Sequence, residues 1–235
     1  MTNFTAFELL DACHEPGCPV CRLERKSVER YLDNQFYENV NNPDLREWLR
    51  NSLGFCHEHA WLTIDKRLGD ALGFAIIYND IILTTLKRLD EDTPTEALGR
   101  WARLLKGVPE QVSAQVQKVL YVLTPKKHCP ACHQRDEMTK ICISTLVDEL
   151  AKDEMAEALQ ASDGLCLPHL KLALQNVKSA PTCEILLTIH REKLISLQAE
   201  LAEFIRKNDY RFMSEGFGGE GNSWLRAVAL MIGSR

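Results

Sequence analysis

Cys18-Pro19-Val20-Cys21 is followed by Gly54-Phe55-Cys56-His57-Glu58-His59, and the pattern recurs as Cys129-Pro130-Ala131-Cys132 and Gly164-Leu165-Cys166-Leu167-Pro168-His169. In each copy, a C-x2-C pair is followed after 34 or 33 residues by a cysteine that stands three positions before a histidine. Three cysteines and one histidine at such spacings are typical of a closed, four-coordinate metal site. We therefore predict one metal site per copy. The first would comprise Cys18, Cys21, Cys56 and His59, and the second Cys129, Cys132, Cys166 and His169.

Proline and glycine residues at fixed places in both copies indicate how the backbone folds around the ligands. Pro19 and Pro130 fix φ and stiffen the C-x2-C turns. Gly54 and Gly164 stand where a preceding helix would end in a left-handed conformation. The next helix would begin around the last two ligands, so that its free N–H groups and positive dipole end favour thiolates.

Two structural zinc ions are the cofactors that we predict from these ligand sets, because imidazole is an ordinary zinc ligand. Structural zinc contributes roughly 10–16 kcal/mol, which is comparable to the stability of a whole domain. Two iron–sulfur clusters are the alternative, although such clusters are usually held by four cysteines. A third hypothesis is a metal-handling or thiol-redox protein with labile sites. Buried cysteines without a metal would not explain why the pattern occurs twice.

Several shorter motifs suggest other chemistry and are rejected on context. A CPxC motif of the thioredoxin type needs a βαβ unit, and the sequence does not predict one. Residues 129–133 match the C-x2-C-H sequence that attaches haem, but the first copy has Arg22 at the position of that histidine. The histidines of His57-Glu58-His59 are too close for a zinc protease motif, which needs them four positions apart. No strand precedes the G-x-G-x-x-G at 216–221. With all four coordination positions filled by protein, we predict no catalytic residue.

Composition places the chain among ordinary globular proteins. It has 235 residues, of which 45% are hydrophobic and 26% charged. The net charge of -5 argues against nucleic-acid binding. We see neither a secretory signal nor a stretch that would span a membrane. Nine cysteines without a secretion signal indicate metal ligands rather than disulfides, and we expect a cytoplasmic protein.

Helical periodicity recurs along the chain, and no run of alternating β-branched residues is convincing. We predict an all-α fold, a duplicated helical bundle in which two Cys3His sites are related by pseudo-twofold symmetry. A long helical region over 60–89 should bend at Gly69 and Gly73, and further helices are predicted over 95–106, 109–123, 132–150, 152–161 and 181–206. The predicted segments are a first metal-binding repeat (1–93), connecting helices (94–127), a second metal-binding repeat (128–208) and a final loop and helix (209–235).

Other cysteines and histidines lie outside the two patterns. Cys13, His14 and His128 lie close to C-x2-C pairs and could approach the metals, although core or surface roles fit Cys13 and His14 better. We interpret Cys142 and Cys183 as small core residues. The helix over 181–206 carries a coiled-coil-like seam that could mediate a homodimer, with His190 as a satisfied core histidine. The seam residues are Leu187, His190, Leu194, Leu197, Leu201 and Phe204.

Four stretches make the chain resemble an uncharacterised bacterial family, known as a domain of unknown function. They are CPVCRLE at 18–24, GFCHEHAW at 54–61, LGFAIIYND at 72–80 and the tail KNDYRF…SWLRA at 207–227, and the second CPAC and GLCLPHL also fit. The resemblance implies a bacterial, cytoplasmic, helical protein with two Cys/His sites, and supplies no activity. We therefore expect a non-enzymatic zinc protein that binds another protein. The alternative is an iron–sulfur protein for electron transfer or redox sensing.

Overall fold

The structure is a computed structural model that describes residues 2–91 and 110–234, and this part of the chain is helical without any strand, as predicted. It contains eleven α-helices and two short 3-10 helices. The first five helices are α1 (Thr2–Cys13), α2 (Pro19–Tyr37), α3 (Pro43–Ser52), α4 (His57–Asp65) and α5 (Ala71–Asp90). The others are α6 (Glu110–Val122), α7 (Pro130–Glu149), α8 (Asp153–Ala161), α9 (Leu167–Asn176), α10 (Ala180–Lys207) and α11 (Ser223–Ile232). The 3-10 helices are Met213–Glu215 and Gly219–Asn222. The helix predicted over 95–106 lies outside the described residues.

The cysteine motifs mark helix ends, as the prolines and glycines indicated. Pro19 and Pro130 are the first residues of α2 and α7. Cys56 and Cys166 are the N-caps of α4 and α9. Both C-x2-C pairs and both C-x2-H pairs therefore stand at helix N-termini, where unpaired N–H groups favour negative charge.

The predicted bend within 60–89 is a full break between α4 and α5. The Asp70 side chain caps α5 by accepting a hydrogen bond from Gly73 N–H at 2.6 Å. Gly69 has φ of +65°, and a Cβ atom there would collide with Phe36. A side chain at Gly73 would collide with the Phe36 carbonyl. Both glycines thus permit close packing of α5 on α2.

Contacts divide the chain into two compact units. Unit 1 comprises Met1–Ser27 and Arg135–Arg235, and unit 2 comprises Val28–Gln134. These bounds differ from those of the segments 1–93 and 128–208, because the divisions fall inside α2 and inside α7. Each unit therefore takes residues from both copies of the sequence pattern.

Each unit has its own hydrophobic core. In unit 1 the core surrounds the second half of α7 and the start of α2, and its fully buried members include Leu9, Val20, Leu146, Leu150, Leu159, Leu165 and Leu186. In unit 2 it surrounds the second half of α2, with Leu32, Phe36, Leu49, Ile77 and Ala131 among its most buried members. Both cores also contain cysteines of the repeated motif, so the candidate ligands are part of the packed interior.

Helix α10 packs against α8, α9 and α11 within unit 1. His190 is 2% exposed; it donates through Nδ1 to the Leu186 carbonyl at 2.7 Å and accepts from Leu165 N–H at 2.9 Å through Nε2. The prediction of a satisfied core histidine is confirmed. Another part of the predicted seam contacts the tail, because Phe204 stacks on Phe217 with ring centres 5.0 Å apart. Among the described helices, none is long and apolar enough to cross a membrane.

Candidate metal centres

The eight predicted ligands form two groups of four, but the predicted pairing is wrong. Site 1 comprises Cys18, Cys21, Cys166 and His169, and site 2 comprises Cys56, His59, Cys129 and Cys132. Within each site, the four candidate ligand atoms all lie within 4.8 Å of one another. The C-x2-C pair of each copy therefore meets the cysteine and histidine of the other copy.

Helix lengths explain why each C-x2-C pair does not meet the C-x2-H pair that follows it. α2 continues for 16 residues after Cys21, which is about 24 Å, whereas the ten residues of α3 span only about 15 Å. In the second copy, the 20 residues of α7 span about 30 Å and the nine of α8 about 14 Å. In each copy, the second helix is thus too short to bring the chain back along the first to the C-x2-C pair.

At site 1 the ligand atoms face one another closely. His169 Nδ1 lies 3.5 Å from Cys18 Sγ, 3.4 Å from Cys21 Sγ and 3.2 Å from Cys166 Sγ. The Sγ atoms of Cys21 and Cys166 are 3.7 Å apart. Cys21 is half-buried and the other three residues are buried. Nδ1 is therefore the imidazole atom that could bind a metal.

Site 2 repeats this geometry with the other four residues. His59 Nδ1 lies 3.1 Å from Cys56 Sγ, 3.6 Å from Cys129 Sγ and 3.4 Å from Cys132 Sγ. The Sγ atoms of Cys56 and Cys132 are again 3.7 Å apart. Here Cys56 and Cys132 are half-buried, so this site has one more partly exposed thiol than site 1.

Backbone contacts hold together the two segments that enter each site. At site 1, Gly17 N–H donates to the Asp163 carboxylate at 2.7 Å, which joins the residue before Cys18 to the segment before Cys166. At site 2, the N–H of Lys126 donates to the Asn51 carbonyl at 2.7 Å, and Trp48 Nε1 donates to the His128 carbonyl at 2.8 Å. These bonds bring the segment before Cys129 to α3, which precedes Cys56.

Glu24 extends site 1 beyond the four ligands. Its Oε1 atom accepts a hydrogen bond from His169 Nε2 at 2.9 Å and a short one from the Thr139 hydroxyl. A proton held on Nε2 leaves the Nδ1 lone pair directed at the sulfurs, as in carboxylate–histidine–metal arrangements. Glu24 was not among the predicted residues; its place one helical turn after Cys21 is the signal in the sequence that could have identified it.

The electrostatics of site 1 favour a cation among its four donors, whereas at site 2 the pKa shifts are those of buried thiols. Burial raises the pKa of Cys18 and Cys129, and that of Cys132 to about 12. The pKa of Cys21 is lowered instead, because hydrogen bonds from Cys166 and Cys18 stabilise its thiolate. Burial lowers the pKa of His169, but hydrogen bonds to the cysteines and to Glu24 outweigh it and raise that pKa to about 12. Positive charge is thus favoured at site 1, and at either site a metal ion would displace the thiol protons.

The remaining cysteines and histidines lie outside both groups in the described part of the chain. Cys13 is buried, and burial raises its pKa to about 11, whereas His14 is exposed. Cys142 is fully buried, as predicted for a core residue, and Cys183 is half-buried. His128 contributes its carbonyl oxygen to the bond from Trp48. None of these residues joins the candidate ligand groups found among the described residues.

A cavity of about 420 Å³ adjoins site 1. Cys18 and Cys166 line one end, and Leu197, Leu225 and Leu230 contribute apolar walls from α10 and α11. The charged side chains that line the cavity have partners: Lys193 donates to the carbonyl oxygens of Gln160 and Ser162, and Arg226 pairs with Glu200.

Comparison with known proteins identifies a family and gives no activity. The model described as "Family of unknown function (DUF6062)" matches residues 2–235, so the chain belongs to this family. An "Uncharacterized 23.9 kDa protein in xynA 3'region" of Caldicellulosiruptor sp. (strain Rt8B.4) is 24% identical over 229 residues, which cover 97% of this chain and the full length of that protein. No solved structure matches. The predicted resemblance to an uncharacterised family is confirmed.

Proposed function

We propose that this member of a family of unknown function is a non-enzymatic protein that holds one structural zinc ion in each of its two sites. The observation that carries the proposal is the convergence of three sulfurs and one imidazole nitrogen within 4.8 Å, twice in the chain. Such a set supplies all four positions of tetrahedral zinc and leaves none open for a substrate. The proposed duty of both ions is therefore structural.

The distances between donors support a single ion in each site. Zinc–sulfur bonds of about 2.3 Å in a tetrahedron would place two sulfurs about 3.8 Å apart, and a sulfur and a nitrogen about 3.5 Å apart. One sulfur–sulfur pair at each site, Cys21–Cys166 and Cys56–Cys132, is 3.7 Å apart, and the other pairs lie within 4.8 Å. The nitrogen–sulfur distances range from 3.1 to 3.6 Å. A single tetrahedral ion would require only small adjustments of the side chains.

An iron–sulfur cluster fits the same donors less well. A cluster places several iron and sulfide atoms between its ligands, and ligands bound to different irons stand further apart than ligands of one ion. The donors at each site lie within 4.8 Å, a separation that suits one ion. Electron transfer and redox sensing are thus the second candidate function, and metal analysis distinguishes it from the first.

The two ions would stabilise a helical surface whose partner we propose to be another protein in the cytoplasm. The net charge of -5 favours a protein partner over a nucleic acid. A homodimer through the predicted seam is one form of this hypothesis, supported by Leu187 and Leu194, which are 50% and 41% exposed on α10. Sedimentation of the full chain would test it, and a monomer at all concentrations would reject the homodimer.

Metal content of anaerobically purified protein tests the proposed sites. We expect about two zinc ions per chain, a colourless solution, and proton release when zinc is added to the metal-free protein. A brown protein that contains iron and acid-labile sulfide would reject zinc and support the iron–sulfur alternative. A chain that binds no metal with high affinity, while keeping its helical content, would overturn both.

A further inference from the structure

The turn that follows α11 lies directly against site 1. The backbone N–H of Ser234 lies beside Cys21 Sγ, where it stabilises negative charge on the sulfur. In the opposite direction, Cys18 N–H donates to Ser234 Oγ at 3.3 Å. One residue of this turn therefore contacts both cysteines of the C-x2-C pair. Ser234 lies 213 positions after Cys21, and no sequence motif links the two.

Glycine allows the backbone of this turn to reach the sulfurs. Gly233 has φ of +100°, and a Cβ atom there would lie 3.4 Å from Cys21 Sγ and 3.9 Å from Cys166 Sγ. On the other side, Gly17 has φ of +90°, and its Cβ would lie 2.8 Å from Ser234 Oγ. Because φ is positive at both glycines, a side chain at either position would strain the backbone that holds the turn against the ligands.

Along the rest of α11, one face packs against α9 and α10 and the opposite face is exposed. Ala229 and Leu230 line the cavity beside site 1, and Arg226 forms an ion pair with Glu200 on α10. On the outer side, Trp224, Val228 and Met231 are 50%, 52% and 55% exposed. With much of its apolar surface exposed, α11 depends more than a core helix on the contacts of its terminal turn.

We propose that the Gly233–Ser234 turn is a structural part of site 1, so that metal binding at this site and docking of α11 stabilise each other. The inference rests on the proposed function, since it requires an ion in site 1. The ion fixes Cys18, Cys21 and Cys166 in the positions that receive the turn. In return, the Ser234 N–H stabilises negative charge on a metal-bound sulfur, as outer hydrogen bonds do at metal sites. Coupling of this kind is reciprocal by thermodynamic necessity.

Hydrogen exchange of the full chain tests one direction of the coupling. Removing zinc with a chelator should speed exchange of the α11 amides at least tenfold, and Cys166→Ser at site 1 should do the same in zinc-loaded protein. The matched variant Cys56→Ser at site 2 should leave α11 exchange unchanged. Equal α11 exchange in zinc-loaded wild type and in Cys166→Ser would overturn the proposal.

Zinc affinity tests the other direction. Gly233→Ala should weaken zinc binding at site 1 about tenfold, within the range known for outer-shell changes, and leave site 2 as it was. Gly216→Ala is the matched control, because Gly216 also has a positive φ of +67°, but a methyl group added there would meet no atom within 4 Å. Ser234→Ala, which removes the hydroxyl and keeps the N–H, should cause a smaller loss at site 1. Equal site 1 affinities in Gly233→Ala and Gly216→Ala would contradict the proposal.

The zinc content of the wild type separates this inference from the proposed function. If the wild type holds two ions and α11 is indifferent to site 1, only the coupling fails. If the wild type holds no ion, the proposed function itself fails and the coupling fails with it. Two ions together with site-1-dependent protection of α11 would support both.

Discussion

At the scale of single residues, Glu24 fixes the orientation of the His169 imidazole. Its carboxylate holds His169 Nε2 at 2.9 Å and is itself held by Thr139. We expect Glu24→Gln to weaken zinc binding at site 1 about tenfold, because the neutral amide supports the imidazole less strongly than a carboxylate. Competition with a chromophoric chelator would measure the affinities of the two sites in the same sample.

Site 2 is the internal reference for that measurement, and Glu15→Gln is a matched control on the surface. Glu15 is exposed and its contact with Arg22 spans 3.9 Å, so its charge should have little influence on either ion. A Glu24→Gln protein with the same site 1 affinity as Glu15→Gln would show that the carboxylate does not support the metal.

His190 gives a pH-dependent prediction at the same scale. Burial lowers the pKa of His190, so the folded protein keeps it neutral while the unfolded chain protonates near its ordinary pKa of about 6.5. The unfolded state then binds more protons, and stability contributed by this residue is present above that pH and lost as the pH falls below it. We expect the stability difference between wild type and His190→Gln to shrink below pH 6.5, by up to about 1.4 kcal/mol per pH unit.

Urea midpoints between pH 5.5 and 8, with zinc in excess, would measure this difference. Zinc content measured at each pH restricts the comparison to conditions in which both proteins keep their ions, because His190 contacts Leu165 beside the ligand Cys166. His14→Gln, at an exposed position, should follow the wild type throughout. A constant difference between wild type and His190→Gln across the whole pH range would argue against a protonation effect.

At the scale of elements, the sequence predicts the helices that carry the ligands because their end signals are local. Asn42 caps α3 by accepting hydrogen bonds from Asp44 N–H at 2.9 Å and Leu45 N–H at 3.0 Å. Gly54 and Gly164 take φ of +98° and +78°, as expected of residues that follow a helix. The break between α4 and α5 is less predictable, because it depends on the close approach of Gly69 to Phe36 from another helix.

The cap on α3 can be tested directly. Asn42→Ala should lower the free energy of unfolding by about 1 kcal/mol, because two backbone N–H groups lose their acceptor. The neighbouring variant Asn41→Ala removes a single bond to the Arg46 side chain on the surface and should cost less than half as much. Chemical denaturation of the zinc-loaded proteins provides the measurement, and equal losses for the two variants would refute the capping argument.

At the scale of the whole molecule, the sequence predicts which residues are candidate ligands, but it does not predict which of them share a site. The spacers of 34 and 33 residues are so alike that each copy looks complete by itself, and residue types alone do not reveal which pairs meet. That choice depends on the lengths of α2 and α7 and on the cores around them. Val28, Leu32 and Phe36 at the far end of α2 pack in the core that also holds Cys129. Likewise, Ile143 and Leu146 of α7 share a core with Cys18.

Paired cysteine variants distinguish the crossed arrangement from the arrangement suggested by chain order. Cys18→Ser and Cys166→Ser should each lose about one zinc ion, and because both residues belong to site 1, the double variant should still retain about one. Cys18→Ser combined with Cys56→Ser affects both sites and should retain none. Sites built within each copy would give the opposite results. The number of zinc ions per chain, measured on folded protein, distinguishes the two arrangements. Both double variants remove two thiols, and they differ only in the sites to which those thiols belong.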